Sequence, residues 1–418
     1  MNTIQKVIIN FLMIITVSVI NVVFAQSSRE INWTEDLEIY KSLLEEKHIN
    51  LYHSISKEAF YNQWKNLNNN IKALNDFEII VELMRLTRQI GDGHTAVSLQ
   101  NVSTNRFPFE IKYIDKQWRV VNVSKAHKNL LKLSLISIEN TPIEEVTTKV
   151  SKVTQFVENE YSQVIRTESY LNLGELLHAL KITKKPKEAV FTFLDANNQQ
   201  IKITLKASNQ PASNKISEFV NLFIGVPEIT KPNNAMFPYL WYAPIKHTKA
   251  IYINFKSYPT FEDMQVFGET LVNTISENKF QQVIIDMRDN GGGDLYVGAV
   301  LAYALNLADT INWKNGVYVL TSNKTFSAAT SNAALYKQLL NAKIVGEATG
   351  SNPNGYQDMD SFVLPNSKLT ITYSKRLFRL SHKPNCALQP DLIISQKWDD
   401  FLQGTDTVLK ELIEKIKK

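Results

Sequence analysis

The 418-residue chain has one cysteine, Cys386, so no intramolecular disulfide can brace it. Its seven histidines include no pair at a metal-ligand spacing such as HExxH, and a zinc site is not expected. Past the N-terminus no apolar run is long enough to cross a bilayer. The net charge is only +5, spread along the chain with no basic run beyond short ones such as "KKPK" at 184–187, so nucleic acid is not an expected partner. There are no internal repeats and no low-complexity segments. Glycine is scarce as well, at 14 residues, so the places where it clusters stand out.

What the chain does contain begins with a leader. Lys6 precedes the apolar run "VIINFLMIITVSVINVVFA", which ends at Val23-Phe24-Ala25 and gives way to polar "QSSRE". This is the pattern of a cleavable secretory signal over residues 1–25, with an uncleaved anchor as the alternative. No cysteine follows the run to carry a lipid. Cleavage predicts an exported protein, periplasmic or extracellular, with no stable membrane span left.

The remaining 393 residues show three textures. Residues 26–103 are helical in pattern: Ser56 and Asn75 are good N-caps, and Phe77, Ile80, Leu83, Met84 and Leu86 share one face. That helix runs into "GDGHT" at 91–95. Residues 104–210 hold short β-branched and aromatic runs, "FEIKYI", "WRVVNV", "AVFTFLD" and "IKITLKA", interrupted by a helical stretch over about 165–181. A polar linker, "NQPASNK", follows. Residues 211–418 alternate strand and helix, with Thr260 capping one helix, which predicts an α/β domain.

Three elements of that pattern could carry chemistry. Ser327 stands where the strand "VYVLTS" turns into the helix "SAATSNAALYKQLLN". A serine at such a corner is usually a cap. The less common reading is a nucleophile held at the positive end of a helix. "DMRDNGGGD" at 286–294 places three glycines after a buried strand, where backbone N–H groups stay open to an anion. The P-loop lysine is missing, so an oxyanion cradle fits better than a phosphate loop. His94, between glycines past a helix end, is expected to be exposed and to titrate near neutrality. Serine, imidazole and glycine loop together suit acyl transfer.

The combination resembles the C-terminal processing peptidases and their tricorn-protease-like relatives. Asp286, Arg288, Asn290, Gly292 and Gly293 match the family's D-x-R-x-N-x-G-G loop, and Thr325-Phe326-Ser327-Ala328 its nucleophile turn. "VGEATG" at 345–350, "GDGHT" at 91–95 and "QPDLII" at 389–394 are also similar to family segments. The resemblance implies an α/β, crotonase-like core over 211–418, an N-terminal helical region over 26–103, and a PDZ-like insert over 104–210. It implies a serine peptidase acting on a peptide or protein substrate without metal or cofactor. Ser327 would be nucleophile, His94 base, and the backbone N–H groups of Gly292 and Ala328 the oxyanion donors. Two departures accompany it. Asn352 stands where the processing branch has its lysine base, and Gly93 where the tricorn-like branch has a serine before its histidine. The residue that orients His94 is therefore open, with Asp92 and Glu347 as candidates. The alternatives are a non-catalytic ligand- or peptide-binding protein on the same scaffold, and a peptide-docking module working through the PDZ-like region. The oligomeric state is left open.

Overall fold

The computed structural model describes residues 31–209, 218–381 and 386–417. The expected signal segment, 1–25, and most of the linker lie outside the described residues. The described residues form a mixed α/β fold with three sheets.

The largest unit of the C-terminal half is a six-stranded sheet whose strands lie side by side in strict chain order. They are Leu240–Pro244, Ala250–Phe255, Gln282–Asp286, Val317–Thr321, Lys343–Gly346 and Leu392–Ile393. All neighbours pair in parallel except the first two, which are antiparallel. Ala250–Phe255 and Val317–Thr321 are buried at every position, as strands covered on both faces must be. One face packs against helices Phe261–Asn278, Leu295–Leu305 and Ala328–Leu339 through Leu271, Leu301 and Ala333. The other meets helix Thr407–Ile416 through Leu409, Leu412 and Ile413. Strand ends on such a sheet carry loops that converge, which is where α/β folds place their sites.

A seven-stranded antiparallel sheet occupies 109–221. The helical stretch expected inside it is two helices, Glu160–Tyr170 and Gly174–Ala179, separated by a turn at Leu171–Leu173. This sheet and the N-terminal helices share a single apolar core: Leu37, Phe60 and Leu83 belong to the same cluster as Phe109, Phe191 and Phe193.

The third sheet has three strands and ties the ends of the chain together. Ala96–Ser98 pairs antiparallel with Thr370–Arg379, which forms a hairpin with Asn354–Val363. The Ala96↔Thr372 register brings the "GDGHT" loop over the six-stranded sheet's glycine and serine loops. Local caps are as the sequence reading expects: Ser56, Asn75 and Thr260 accept from Ala59, Glu78 and Asp263 N–H groups, and Asn75 with Glu78 completes a capping box.

Candidate active site

The serine turn is built by threonine and asparagine rather than by glycine. Thr325 Oγ1 donates to the Met287 carbonyl at 2.9 Å and accepts from the Ser322 N–H at 3.0 Å, closing the loop after the strand. Phe326 N–H donates to the Asn290 carbonyl at 3.1 Å, which joins the serine loop to the glycine loop. Ser327 is forced into φ 53°, ψ −129°, a region that non-glycine residues seldom occupy. It holds the N-cap position of helix Ala328–Leu339 but makes no side-chain capping bond. Its N–H is held at 2.7 Å by Ser351 Oγ, which in turn donates to Thr330 Oγ1.

The freed Ser327 hydroxyl instead meets His94. Its Oγ lies 2.9 Å from His94 Nε2, across 233 positions of sequence. His94 is buried, at 3% exposure, not exposed as its flanking glycines suggest. Gly93 explains the difference: a Cβ there would come within 2.6 Å of the Phe326 ring, so the loop closes directly over the serine turn. The Phe326 ring packs on the imidazole with centroids 5.3 Å apart. Burial also changes the chemistry. It pushes the His94 pKa from 6.5 down to about 4, against the opposing effects of the Asp92 charge and the Tyr356 backbone. The ring is therefore neutral at pH 7, able to accept a proton through Nε2.

Neither candidate for orienting His94 makes a hydrogen bond to its imidazole ring. Asp92 holds the loop backbone: its Oδ1 accepts from the His94 and Thr95 N–H groups and from Ser374 Oγ, and its Oδ2 lies 3.0 Å from His48 Nε2. Burial pushes the Asp92 carboxyl up, but the His48, Ser374 and Thr95 hydrogen bonds outweigh it and hold it below its ordinary range. Glu347 takes a hydrogen bond from Ser395 and feels the Arg288 charge; burial nonetheless raises its pKa. The buried His94 Nδ1 has no hydrogen-bond partner among the described residues.

A buried acid packed against this loop, Glu158, was not indicated by the sequence. A Cβ on Gly93 would lie 2.8 Å from Glu158 Cβ, and one on Gly355 would lie 2.5 Å from its Oε1, so two glycines make room for this side chain. Burial pushes its carboxyl well above the usual range, with Asp92 adding to the effect, and its Oε2 is unpartnered. The signal that could have found it is the pair of glycines, and they are 262 positions apart, from 93 to 355.

The glycine loop departs from expectation at one atom. Gly292, at φ 109°, lies tight against the nucleophile turn: an added Cβ would be 2.7 Å from Ser327 Cβ. Its N–H, however, is taken by Asn290 Oδ1 at 2.9 Å and is not open to an oxyanion. The cause is Asn290 itself, which is fully buried, donates to the Phe255 carbonyl at 3.0 Å, and has no other donor to its side-chain oxygen among the described residues. Ala328 is the first residue of its helix, where N–H groups have no intrahelical acceptor. Below the loop Arg288 is clamped between two carboxylates, Asp286 at 2.6–2.9 Å and Asp406 at 2.8–2.9 Å. Asn352, in the place of a lysine base, is buried and accepts from Asn159 Nδ2 at 3.0 Å. Lys324 faces Asp289 at 3.6 Å and Lys375 faces Asp360 at 3.6 Å, so these lysines are engaged elsewhere. Among the described residues no cluster of His, Cys, Asp or Glu is arranged to hold a metal ion.

No family model matches the chain, and no curated protein matches it. Solved structures do. Mature CPAF superimposes with a TM-score of 0.68 at 14% identity, covering 93% of this chain and 96% of that one. Mature CPAF complexed with lactacystin gives 0.66 at 13% identity, covering 93% and 97%. An S499A mutant of CPAF gives 0.66 at 12% identity, covering 93% and 96%. At such identities the likeness is one of fold: this chain shares its mixed α/β fold with mature CPAF over nearly the length of both.

Proposed function

We propose that the protein is an exported serine peptidase. The observation that carries this reading is the 2.9 Å contact between Ser327 Oγ and His94 Nε2, made by residues that no local structure brings together. In the reaction Ser327 Oγ attacks the peptide carbonyl while His94 Nε2 takes its proton. The Ala328 N–H donates to the oxygen that gains charge; losing one such donor typically costs about 10²–10³ in turnover. Gly292 joins it only by exchanging its bond to Asn290. The tetrahedral adduct collapses as His94 returns the proton to the leaving amine, and water, deprotonated by the same ring, releases the acyl group. The likeness of fold to CPAF, itself crystallised with lactacystin, supports the reading.

The finer architecture is read in the same terms. The six-stranded sheet with helices on both faces would be a crotonase-like core over 211–418, and the seven-stranded sheet a PDZ-like insert over 104–210. The helical region 26–103 would be a cover that delivers His94 to that core. Export rests on the leader sequence of residues 1–25.

One observation favours a second reading, a binding protein on this scaffold: His94 Nδ1 has no acid to hold it. A fluorophosphonate probe separates the two. Covalent labelling of Ser327 in the folded protein, lost in Ser327→Ala, supports the peptidase. Failure of the wild-type protein to label at any pH between 5 and 9 sinks it.

A further inference from the structure

Beside the serine turn lies a cleft of about 590 Å³, between the seven-stranded sheet and the glycine loop. Phe326 and Gly291, the residues immediately before Ser327 and Gly292, form part of its wall. The opposite wall carries Arg106, Lys112 and Arg166. Arg166 has no carboxylate partner among the described residues, whereas Lys112 feels the charges of Asp289 and Glu168 and Arg106 that of Glu110. Arg106 donates to neutral oxygens, the Ser169 carbonyl at 3.0 Å and Asn172 Oδ1 at 2.8 Å. Arg166 donates its Nε to the Phe156 carbonyl at 3.2 Å, and its guanidinium sits 5.2 Å from the centre of the Phe326 ring.

Partly buried cations without a counterion are costly, so most such groups pair with an acid. The acids of this cleft are otherwise occupied. Asp289 is shared by Lys256 at 3.2 Å and Lys324 at 3.6 Å. Glu110 accepts from Asn122 and stands exposed. Glu168 accepts from the Tyr113 N–H, and burial pushes its carboxyl up to about 7, leaving it largely uncharged in acid. The cleft thus keeps a surplus of positive charge one residue from the nucleophile.

We propose that this cleft receives an acidic side chain of the peptide substrate, with Arg166 as its main partner and Arg106 and Lys112 in support. The proposal deepens the peptidase reading and rests on it for the word substrate. A guanidinium lying over the Phe326 ring keeps N–H groups free as a planar fork, which suits a carboxylate better than a neutral amide. Because Phe326 precedes Ser327 directly, a filled cleft would also fix the serine turn against the bound peptide.

The test uses the full chain carrying Ser327→Ala, so that the probe is not consumed. Calorimetry compares N-acetylated, C-amidated alanine peptides bearing one Glu or one Gln, and an N-acetylated alanine peptide with a free or an amidated C-terminus. The Glu peptide should bind at least about tenfold tighter than its Gln counterpart. Glu over Gln supports the cleft; a preference for the free over the amidated C-terminus without one for Glu assigns the binding to the chain end and overturns it. Arg166→Gln should abolish the difference and Arg166→Lys should keep part of it. Equal affinity of acid and amide forms overturns the proposal without recourse to any Arg166 variant. Cleavage by the wild-type protein with no acid preference would likewise overturn it while leaving the peptidase intact. Arg166-dependent carboxylate binding with no fluorophosphonate labelling would do the reverse.

Discussion

Thr372 Oγ1 donates to the His94 carbonyl at 2.7 Å, linking residues 278 positions apart. Together with the Ala96↔Thr372 pairing, this bond suspends the histidine loop from the C-terminal hairpin. The imidazole thus owes its position to a strand added from the far end of the chain.

Thr372→Val keeps the shape of the side chain and removes the donor. It should cost about 1 kcal/mol in stability, the net worth of one hydrogen bond. Fluorophosphonate labelling should slow by about tenfold or more, because a small displacement of the base is felt at the reacting atom. An unchanged labelling rate would show that strand pairing alone places His94.

The His94 ring has a folded pKa of about 4 against 6.5 for the free side chain, with burial as the main cause. A depressed pKa means the unfolded chain binds the proton first. The stability this group contributes is therefore fully present above pH 6.5 and is lost as pH falls through about 4. Labelling of Ser327 should be level from neutral pH to about pH 5 and fall only below it. A midpoint near 6.5 in the folded protein would show that the ring is open to water.

Ser327 is held at φ 53°, where glycine fits and serine is strained. Its side chain makes no capping bond, so little is lost with it. Ser327→Gly should raise stability by about 1 kcal/mol while abolishing labelling. Thermal denaturation reads the first effect; a variant less stable than wild type would mean that the contact with His94 outweighs the strain.

Arg288 joins Asp286, beneath the glycine loop, to Asp406, the N-cap of helix Thr407–Ile416. Arg288→Met would leave two buried carboxylates facing each other. Urea denaturation should show a loss of about 3–5 kcal/mol. A loss below about 1 kcal/mol would mean that water reaches the pair and screens it.

The local pattern of residues was sufficient for much of this protein. Asn75, Ser56 and Thr260 set helix starts because the bonds they make lie within three residues of themselves. The β-branched run before Ser327 marked Val317–Thr321 as a strand; that it is covered on both faces came from its place in the sheet. Ser327, His94 and the three glycines at 291–293 were legible as residue types suited to one chemistry. Their arrangement was not. Whether His94 is exposed, which N–H Asn290 occupies, that Glu158 fills the space left by Gly93 and Gly355, and that Arg166 is without an acid all depend on contacts between distant segments. Burial and hydrogen-bond competition are properties of the packed whole, because the energy of a charge or a donor is set by what surrounds it in space and not by its neighbours in the chain.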